Sequence, residues 1–258
     1  MLNRRREHKE WTQVKTPCNP FDDVQQGYSQ ARPRYPQGAT EALLNLGKNI
    51  VELGAGSGIL TAALVEGGAT VTAVEPAAAM CQQFRAEHPH FQLVQAPAED
   101  TGLPEGAYDL AVFSQSWHWV NAPAAAAEAR RLLRPGGKIA IIYNQLDVER
   151  PWIWRLSRIM RSGDVRSVLS APQVPGFAEP ALISFSWDRE LRATDVLELG
   201  RTHASYLRAH ADCREKMQGN LRWYLFQHMG FAAASVVRLP YRTHLWVADM
   251  LPEDDNAV

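Results

Sequence analysis

The sequence predicts an α/β fold, a doubly wound, mostly parallel sheet of seven strands with an antiparallel last strand and a helical cap. Three observations indicate it. Strand-like and helix-like segments alternate from about residue 38 to Asn144, as in right-handed βαβ units. The strand segments are almost entirely apolar, as strands covered on both faces must be. A glycine-rich turn follows the first of these strands, at the end where open α/β sheets bind ligands.

Composition limits the classes of protein to consider. The 258 residues include 27 Lys and Arg against 28 Asp and Glu, and this balance gives no reason to expect nucleic acid or an anionic membrane as partner. The start of the chain, MLNRRREHKEW, is charged where a signal peptide needs an apolar core, and no apolar run is long enough to cross a bilayer. The three cysteines Cys18, Cys81 and Cys213 have neither metal-ligand nor disulfide spacing. We therefore expect a cytoplasmic protein with reduced thiols and no metal.

The alternating half of the chain is interpreted in order. A helix at ATEALLNLG is closed by Gly47, and a helix at GILTAALVEGG ends at the stop signal Gly67-Gly68. A later helix is ended by Pro135-Gly136-Gly137. The predicted order is the helix ATEALLNLG, the strand and glycine turn NIVELGAG, the helix GILTAALVEGG, the strand TVTAVEP, the helix AAAMCQQFRAEH, the strand FQLVQAPAED with its exit loop, the strand YDLAVFSQ, the helix PAAAAEARRLLRPGG and the strand KIAIIYN.

The alternation stops after Asn144. The remaining segments are interpreted as a helix at PWIWRLSRIMRSGDV, a strand at LISFSWDREL, two helices in residues 193–230 and a final strand at RLPYRTHLWVADM. We therefore divide the chain into a mobile tail (1–20), an N-terminal arm (21–37), a core (38–145), and a helical cap with the closing edge strands of the same domain (146–258). The tail carries Arg4, Arg5 and Arg6, and a basic docking arm is the alternative interpretation.

The stretch VELGAGSG, Val51 to Gly58, carries the first chemical signal. A dinucleotide site of the type G-x-G-x-x-G needs a glycine at position 59, where this chain has Ile59. The pattern present is E-x-G-x-G-x-G, with Glu52, Gly54, Ala55, Gly56 and Gly58. Small residues let a ligand touch the backbone. The carboxylate at Glu52 repels a pyrophosphate and suits an ammonium or sulfonium group.

Two further strand ends predict a nucleoside site. Glu75 ends the second strand, 21 positions after Gly54, and Pro76 starts the next helix. A carboxylate at this spacing can accept both ribose hydroxyls, and the alternative is an acid that only favours the helix N-terminus. Ala98 and Glu99 lie where the third strand exits, in position to border an adenine, unless this is an ordinary polar loop.

These motifs together resemble the class I S-adenosylmethionine-dependent methyltransferases, whose fold is Rossmann-like. VELGAGSG is similar to their first motif, AVEP to their ribose-binding acid, APAEDTGLPEGAYDLAVFSQ to their adenine loop and fourth strand, and LLRPGGKIAIIY to their fifth strand with its preceding turn. FDDVQQGYSQARPRYP, SQSWHWVN and LPYRTHL resemble the trans-aconitate methyltransferase-like group of small-molecule enzymes, also called methyltransferase type 11. The resemblance covers residues 21–145 well and the cap loosely.

The resemblance implies S-adenosylmethionine as cofactor and S-adenosylhomocysteine as product. It places the methionine part of the cofactor against the glycine turn, with Glu52 near its amino end and Ser114 and Gln115 beside the transferable methyl. The arm closes over the same region, so Tyr28, Arg32 and Tyr35 are expected to cover the cofactor. Arg32 is available to pair with the cofactor's carboxylate. The alternative for the two tyrosines is that they anchor the arm on the core.

His118 is the candidate catalytic residue, since a neutral imidazole can take a proton from a hydroxyl or amine as it is methylated. The alternative is a packing histidine beside Trp119. Weaker candidates for substrate contact are His203, the set Arg155, Arg158 and Arg161, and the aromatic residues Tyr143, Trp152 and Trp154. For each of these, packing or a solvated helix face is an equal or better explanation.

The expected function is in-line methyl transfer to a hydroxyl, amine or carboxylate of a small molecule. Methylases of DNA adenine typically carry Asn/Asp-Pro-Pro-aromatic after the fourth strand, where this chain has Ser114-Gln115-Ser116-Trp117, so nucleic acid is not expected as substrate. Two alternatives stay open: a non-catalytic protein that binds S-adenosylmethionine, and a nicotinamide-dependent oxidoreductase. Ile59 and Glu52 argue against the second. The sequence predicts neither the acceptor atom nor the oligomeric state.

Overall fold

The computed structural model describes residue 21 and residues 27–164 and 170–252. The predicted mobile tail and residues 22–26 of the predicted arm lie outside the described residues. Seven strands form one sheet in the order β3-β2-β1-β4-β5-β7-β6. The strands are β1 (Asn49–Leu53), β2 (Thr70–Val74), β3 (Gln92–Val94), β4 (Tyr108–Ser114), β5 (Leu133–Leu146), β6 (Ala181–Arg192) and β7 (Val236–Asp249).

The direction of the strands confirms the predicted fold class. Strands β1 to β5 pair in parallel, and β7 runs antiparallel to both of its neighbours, β5 and β6. The last strand of the chain therefore lies inside the sheet, and β6 forms its edge. The parallel part reverses its strand order between β1 and β4, the kind of switch point at which open α/β sheets bind ligands.

Nine helices lie within the described residues. They are α1 (Tyr28–Ala31), α2 (Gln37–Leu46), α3 (Ile59–Glu66), α4 (Ala78–Glu87), α5 (Ala122–Leu132), α6 (Pro151–Met160), α7 (Ala193–Arg201), α8 (Ala204–Leu207) and α9 (Ala211–Arg222). A 3₁₀ turn covers Trp117–Trp119, and a π-helical turn, Trp223–His228, continues α9. None of these helices is long and apolar enough to span a bilayer.

Several sequence-based boundaries were wrong. The helix predicted at PWIWRLSRIMRSGDV ends at Met160, because Arg161 adopts a left-handed conformation. The helix before β5 ends at Leu132, and the Pro135–Gly137 segment lies inside β5, because Leu133 already pairs with Tyr108 before the register shifts. Residues 193–230 form three helices and a π-helical turn where two helices were predicted. The extra break follows α7, where the Thr202 hydroxyl donates to the Leu199 carbonyl at 2.7 Å and the next residue is extended. This break contains neither glycine nor proline, so the usual sequence signals do not mark it.

Buried apolar side chains cover both faces of the sheet and fill the cap. One cluster joins the sheet to α5 through residues such as Phe113, Leu132 and Ile141, and a second joins it to α2 and α3 through Leu43 and Leu64. A third cluster packs α6, α7 and α9 against β5 and β7; its members include Leu146, Ile153, Val196, Leu221 and Leu239. The cap therefore shares its core with strands of the main sheet, which holds it in a fixed place beside the switch point.

Candidate active site

A cavity of about 980 Å³ lies at the carboxyl ends of β1, β2, β4 and β5. The glycine turn after β1 forms its floor, the arm covers one side and the cap closes another. The cap contributes the loop after α6 and the residues between α7 and α8. Its volume is at the upper end of the range for small-molecule sites, so it has room for two ligands side by side.

The three glycines of the turn have different roles. All three adopt positive φ angles, 79°, 58° and 88° for Gly54, Gly56 and Gly58. A Cβ at Gly54 would lie 2.5 Å from the Cβ of Ser116, and one at Gly58 would lie 2.7 Å from the ring of Phe84. A Cβ at Gly56 would meet nothing within 4 Å, because this residue borders the cavity. Packing thus requires glycine at two positions, and the third leaves the backbone open to a ligand.

Glu75 fastens the glycine turn to the start of α4. Its Oε2 accepts the backbone N–H of Gly56 at 2.9 Å, and its Oε1 accepts the backbone N–H of Ala77 at 2.8 Å. The side chain is buried but lines the cavity, as does the neighbouring Pro76. The interaction with the beginning of the helix is therefore present, and the same carboxylate also lies at the predicted ribose position.

Glu52 is not at the cavity surface. Its side chain is fully buried, and its two oxygens accept hydrogen bonds of 2.5 Å from Ser114 Oγ and from Thr61 Oγ1. Burial raises the pKa of Glu52 to about 7, although both hydroxyl hydrogen bonds act in the opposite direction. Ser114 does line the cavity. The structure thus puts a hydroxyl, oriented by Glu52, where the sequence predicted the carboxylate itself.

The other predicted cofactor residues meet at the cavity. Ala55, Ala98, Glu99 and Gln115 all line it, and Glu99 Oε1 accepts the backbone N–H of Asn121 at 2.8 Å. Gln115 has a φ of 57°, which is uncommon for a residue other than glycine, and its Nε2 donates to the Asn144 carbonyl at 2.9 Å. This backbone outlier at the end of β4 is of the kind that clusters at ligand sites.

The arm covers the cavity with Tyr28, Arg32 and Tyr35. The guanidinium of Arg32 lies 5.9 Å from the centre of the Tyr28 ring and its Nη1 lies 3.5 Å from His203 Nδ1. Among the described residues no carboxylate forms an ion pair with Arg32. A cation in this setting is suited to an anionic ligand group.

Further hydrogen bonds hold the arm on the rest of the molecule. Arg189 on β6 donates from Nη1 to the Ala31 carbonyl at 2.7 Å and from Nη2 to the Gln30 carbonyl at 3.1 Å. Asn144 Nδ2 donates to the Arg34 carbonyl at 3.1 Å, and Ser29 Oγ donates to Glu87 at 2.9 Å. The arm is thus fastened through its backbone to the sheet and through a side chain to α4.

His118 lies on the 3₁₀ turn after β4 and lines the cavity. Its ring centre is 4.9 Å from that of Trp119 and 5.9 Å from that of Tyr143. Desolvation and, to a smaller extent, the positive charge of Arg32 lower the pKa of His118 below its usual value. The imidazole is therefore neutral at physiological pH, the form that a proton acceptor needs.

The cap contributes cavity residues that were weak candidates in the sequence or were not predicted. His203, a weaker candidate in the sequence, is half-buried, and desolvation of its ring, followed by the charge of Arg32, lowers its pKa to about 3. The neutral ring therefore accepts from Arg32 at Nδ1. Asp164, Arg208 and Tyr241 also line the cavity. Of these, Tyr241 lies in the motif LPYRTHL, but no sequence pattern predicted a site role for any of the three. Their position at the cavity depends on how the cap packs on β5 and β7, and no local sequence pattern predicts that packing.

Fold and site together define a class of protein: a class I S-adenosylmethionine-dependent methyltransferase. A methyltransferase domain pattern matches residues 51–141. A methyltransferase of Mycobacterium tuberculosis, itself uncharacterized, is 31% identical over 226 residues, which is 86% of this chain and 92% of the relative. An uncharacterized methyltransferase of Schizosaccharomyces pombe is 29% identical over 206 residues, 75% of this chain and 82% of the relative.

A solved structure agrees at the level of the fold. A candidate type II methyltransferase from Anaeromyxobacter dehalogenans superposes with a TM-score of 0.63 at 24% identity, over 86% of this chain and 99% of that chain. The chain belongs to the methyltransferase family of these relatives and uses S-adenosylmethionine as its cofactor. The nicotinamide-dependent alternative is therefore set aside.

Proposed function

We propose that this methyltransferase acts on a small molecule, at a hydroxyl, amine or carboxylate. The observation that supports this best is one cavity of about 980 Å³, which is lined by Gly56 and Glu75 and also by His118 and Tyr143. A cofactor beside the first two residues leaves room beside the other two for an acceptor of modest size. The near-zero net charge, −1, gives the chain no electrostatic preference for nucleic acid.

The contacts in the cavity support the following arrangement of the cofactor. The ribose hydroxyls bind Glu75, the adenine lies beside Ala98 and Glu99, and the methionine part runs along Gly54, Ala55 and Gly56. The amino end lies near Ser114, which Glu52 orients from behind. The cofactor's carboxylate pairs with Arg32, because in the described part of the chain this guanidinium has no carboxylate partner of its own.

S-adenosylmethionine supplies a methyl group on a cationic sulfur, and the leaving thioether is neutral. The residues of this chain have to hold the acceptor in line with that methyl and exclude water. Tyr143, Trp119 and the Gln115 backbone border the space available to the acceptor. His118 accepts the proton that a hydroxyl or amine loses as it is methylated. An acceptor carboxylate needs no base, since it is already ionised.

Turnover on a chemically sorted panel tests this proposal. S-adenosylmethionine labelled in its methyl group is incubated with the enzyme and small hydroxyl compounds, amines or carboxylic acids, and label is followed into each product. We expect label in one chemical class at a rate that depends on enzyme concentration. Binding of S-adenosylhomocysteine without label transfer to any class would favour the alternative of a non-catalytic cofactor-binding protein.

A further inference from the structure

A second depression, of about 560 Å³, lies on the cap between α6 and α9. We name it the cap groove and define it by its lining residues Trp154, Arg155, Arg158, Ile159, Arg161, Cys213, Lys216, Met217 and Asn220. Four of these nine residues are cationic and none is acidic. The groove therefore carries a concentrated positive charge on a chain whose net charge is −1.

The charge of the groove is not neutralised by ion pairs within the described part of the chain. None of the ion pairs found among the described residues includes Arg155, Arg158, Arg161 or Lys216. Two of the guanidinium groups lie instead over aromatic rings: Arg158 is 5.0 Å from the centre of Trp154, and Arg155 is 5.6 Å from that of Trp223. Such contacts orient a guanidinium and leave its N–H groups able to bind an anion.

Arg161 lines both the cap groove and the cavity of the candidate active site, which we call the reaction cavity, and so connects the two. It follows the last turn of α6 with a φ of 50°, a left-handed conformation that usually falls to glycine. Ser205 Oγ donates to the Arg161 carbonyl at 2.9 Å, which fixes this turn against α8. The backbone thus holds one cation at the boundary between the two depressions.

We propose that the cap groove is an anion-binding subsite for the acceptor, which carries a phosphate or polycarboxylate end outside the reaction cavity. This inference rests on the proposed function, because it assigns the anion to the molecule that is methylated. The acceptor's anionic end lies among Arg155, Arg158 and Lys216, and its reactive end passes Arg161 into the cavity. Guanidinium and ammonium groups at this density match an anion with two or more charges.

Calorimetric titration tests the subsite without any methyl transfer. Inorganic pyrophosphate and citrate serve as probes of the two anion types, each with wild-type protein at low salt. In the double variant Arg158→Gln/Lys216→Gln we expect at least a roughly 10-fold loss of affinity for the better probe, because two charge-assisted contacts are removed. The matched control is Arg85→Gln/Arg222→Gln, which removes the same charge from exposed positions on α4 and α9 outside the groove.

The outcomes distinguish a phosphorylated acceptor from a polycarboxylate, and they test the subsite separately from the proposed function. Tighter binding of pyrophosphate indicates a phosphorylated acceptor, and tighter binding of citrate indicates a polycarboxylate. Equal losses in the groove variant and the control, or no binding of either probe to the wild type, would overturn the subsite. S-adenosylhomocysteine is titrated into the same proteins: its failure to bind wild type would refute the proposed function, whereas the groove measurement would stand by itself.

A thiol probe locates the bound anion. Cys213 is exposed in the groove, whereas Cys81 is buried, so Cys18→Ser leaves Cys213 as the reactive thiol of the described chain. We expect saturating pyrophosphate or citrate to slow alkylation of Cys213 several-fold. An unchanged alkylation rate under conditions where the probe binds would place the anion elsewhere and contradict the proposal.

Discussion

The carboxylate of Glu75 accepts the backbone N–H of Gly56 at 2.9 Å, so the acid that directly follows β2 fixes the glycine that opens onto the cavity. The two residues are 19 positions apart in the chain and belong to different motifs. Because of this contact, the glycine turn and the proposed ribose site form one structural unit. A change in either residue is therefore expected to disturb both the turn and the ribose contact, and so to alter cofactor binding.

Replacing Glu75 tests this unit. Glu75→Ala should weaken S-adenosylhomocysteine binding by about 1.5–3 kcal/mol, because hydrogen bonds to a charged acceptor are lost. Calorimetry measures the affinity and a thermal melt checks the fold. Glu75→Gln is the comparison that keeps an acceptor oxygen but no charge, and it should retain part of the affinity. Wild-type affinity in the alanine variant would remove Glu75 from the cofactor site.

The buried Glu52 predicts a particular dependence of stability on pH. Its folded pKa is raised to about 7, above the ordinary value of 4.5. The stabilising contribution of protonated Glu52 to the free energy of unfolding is therefore fully present below pH 4.5 and is lost as the pH rises through 7. In ligand-free protein, the stability of wild type relative to Glu52→Gln should fall by roughly 3 kcal/mol between pH 4.5 and pH 8. Urea unfolding across this range gives the difference. Parallel stability curves for the two proteins would show that the pKa of Glu52 is not raised.

Much of this site follows from local sequence, and the part that does not depends on distant packing. The positions of Gly56 and Glu75 at the cavity could be predicted, because a turn after a strand and an acid at the next strand end have fixed positions in a parallel sheet. The displacement of Glu52 behind Ser114 could not be predicted, since it depends on hydrogen bonds to hydroxyls 9 and 62 residues away. The cap residues His203 and Arg161 reach the cavity only through the packing of α6 and α7 on β5 and β7.

Cofactor binding should order the arm. Hydrogen exchange in residues 27–36 should slow when S-adenosylhomocysteine is added, because Tyr28 and Arg32 line the same cavity as the proposed cofactor contacts. Arg189→Gln should speed this exchange in the ligand-free protein, since the contacts to the Ala31 and Gln30 carbonyls are lost. Mass spectrometry of the exchanged peptides measures both effects.

A matched variant controls for the loss of a surface arginine. Arg238→Gln removes a guanidinium on β7 that pairs with Glu190 and does not touch the arm. Its exchange in residues 27–36 should equal that of wild type. Equal exchange with and without ligand would mean that the arm is packed in place and does not respond to the cofactor.

His118 should act through its ability to accept a proton. If the acceptor is a hydroxyl or amine, His118→Ala should lower kcat by about 10²–10⁴-fold and leave cofactor affinity nearly unchanged. Since the pKa of His118 is lowered, wild-type activity should fall only as the pH drops below 6.5, when the imidazole becomes protonated.

The variant His118→Gln separates catalysis from orientation. Glutamine can hydrogen-bond to the acceptor but takes no proton at neutral pH, so it should recover little of the rate if His118 is the base. If the variant recovers most of the rate, and if wild-type activity does not fall below pH 6.5, His118 has an orienting role. A carboxylate acceptor would give the same result, because it needs no base.

The most direct test of the cofactor site is calorimetric titration of S-adenosylhomocysteine into Gly56→Val and Gly102→Val. Both glycines have positive φ, 58° and 67°, and at both an added Cβ meets nothing within 4 Å, so the two changes impose similar backbone strain. Of the two, only Gly56 borders the cavity. We predict that Gly56→Val abolishes binding, that the smaller Gly56→Ala weakens it, and that Gly102→Val binds like wild type. Wild-type affinity in a folded Gly56→Val protein would contradict the assignment of this cavity to the cofactor.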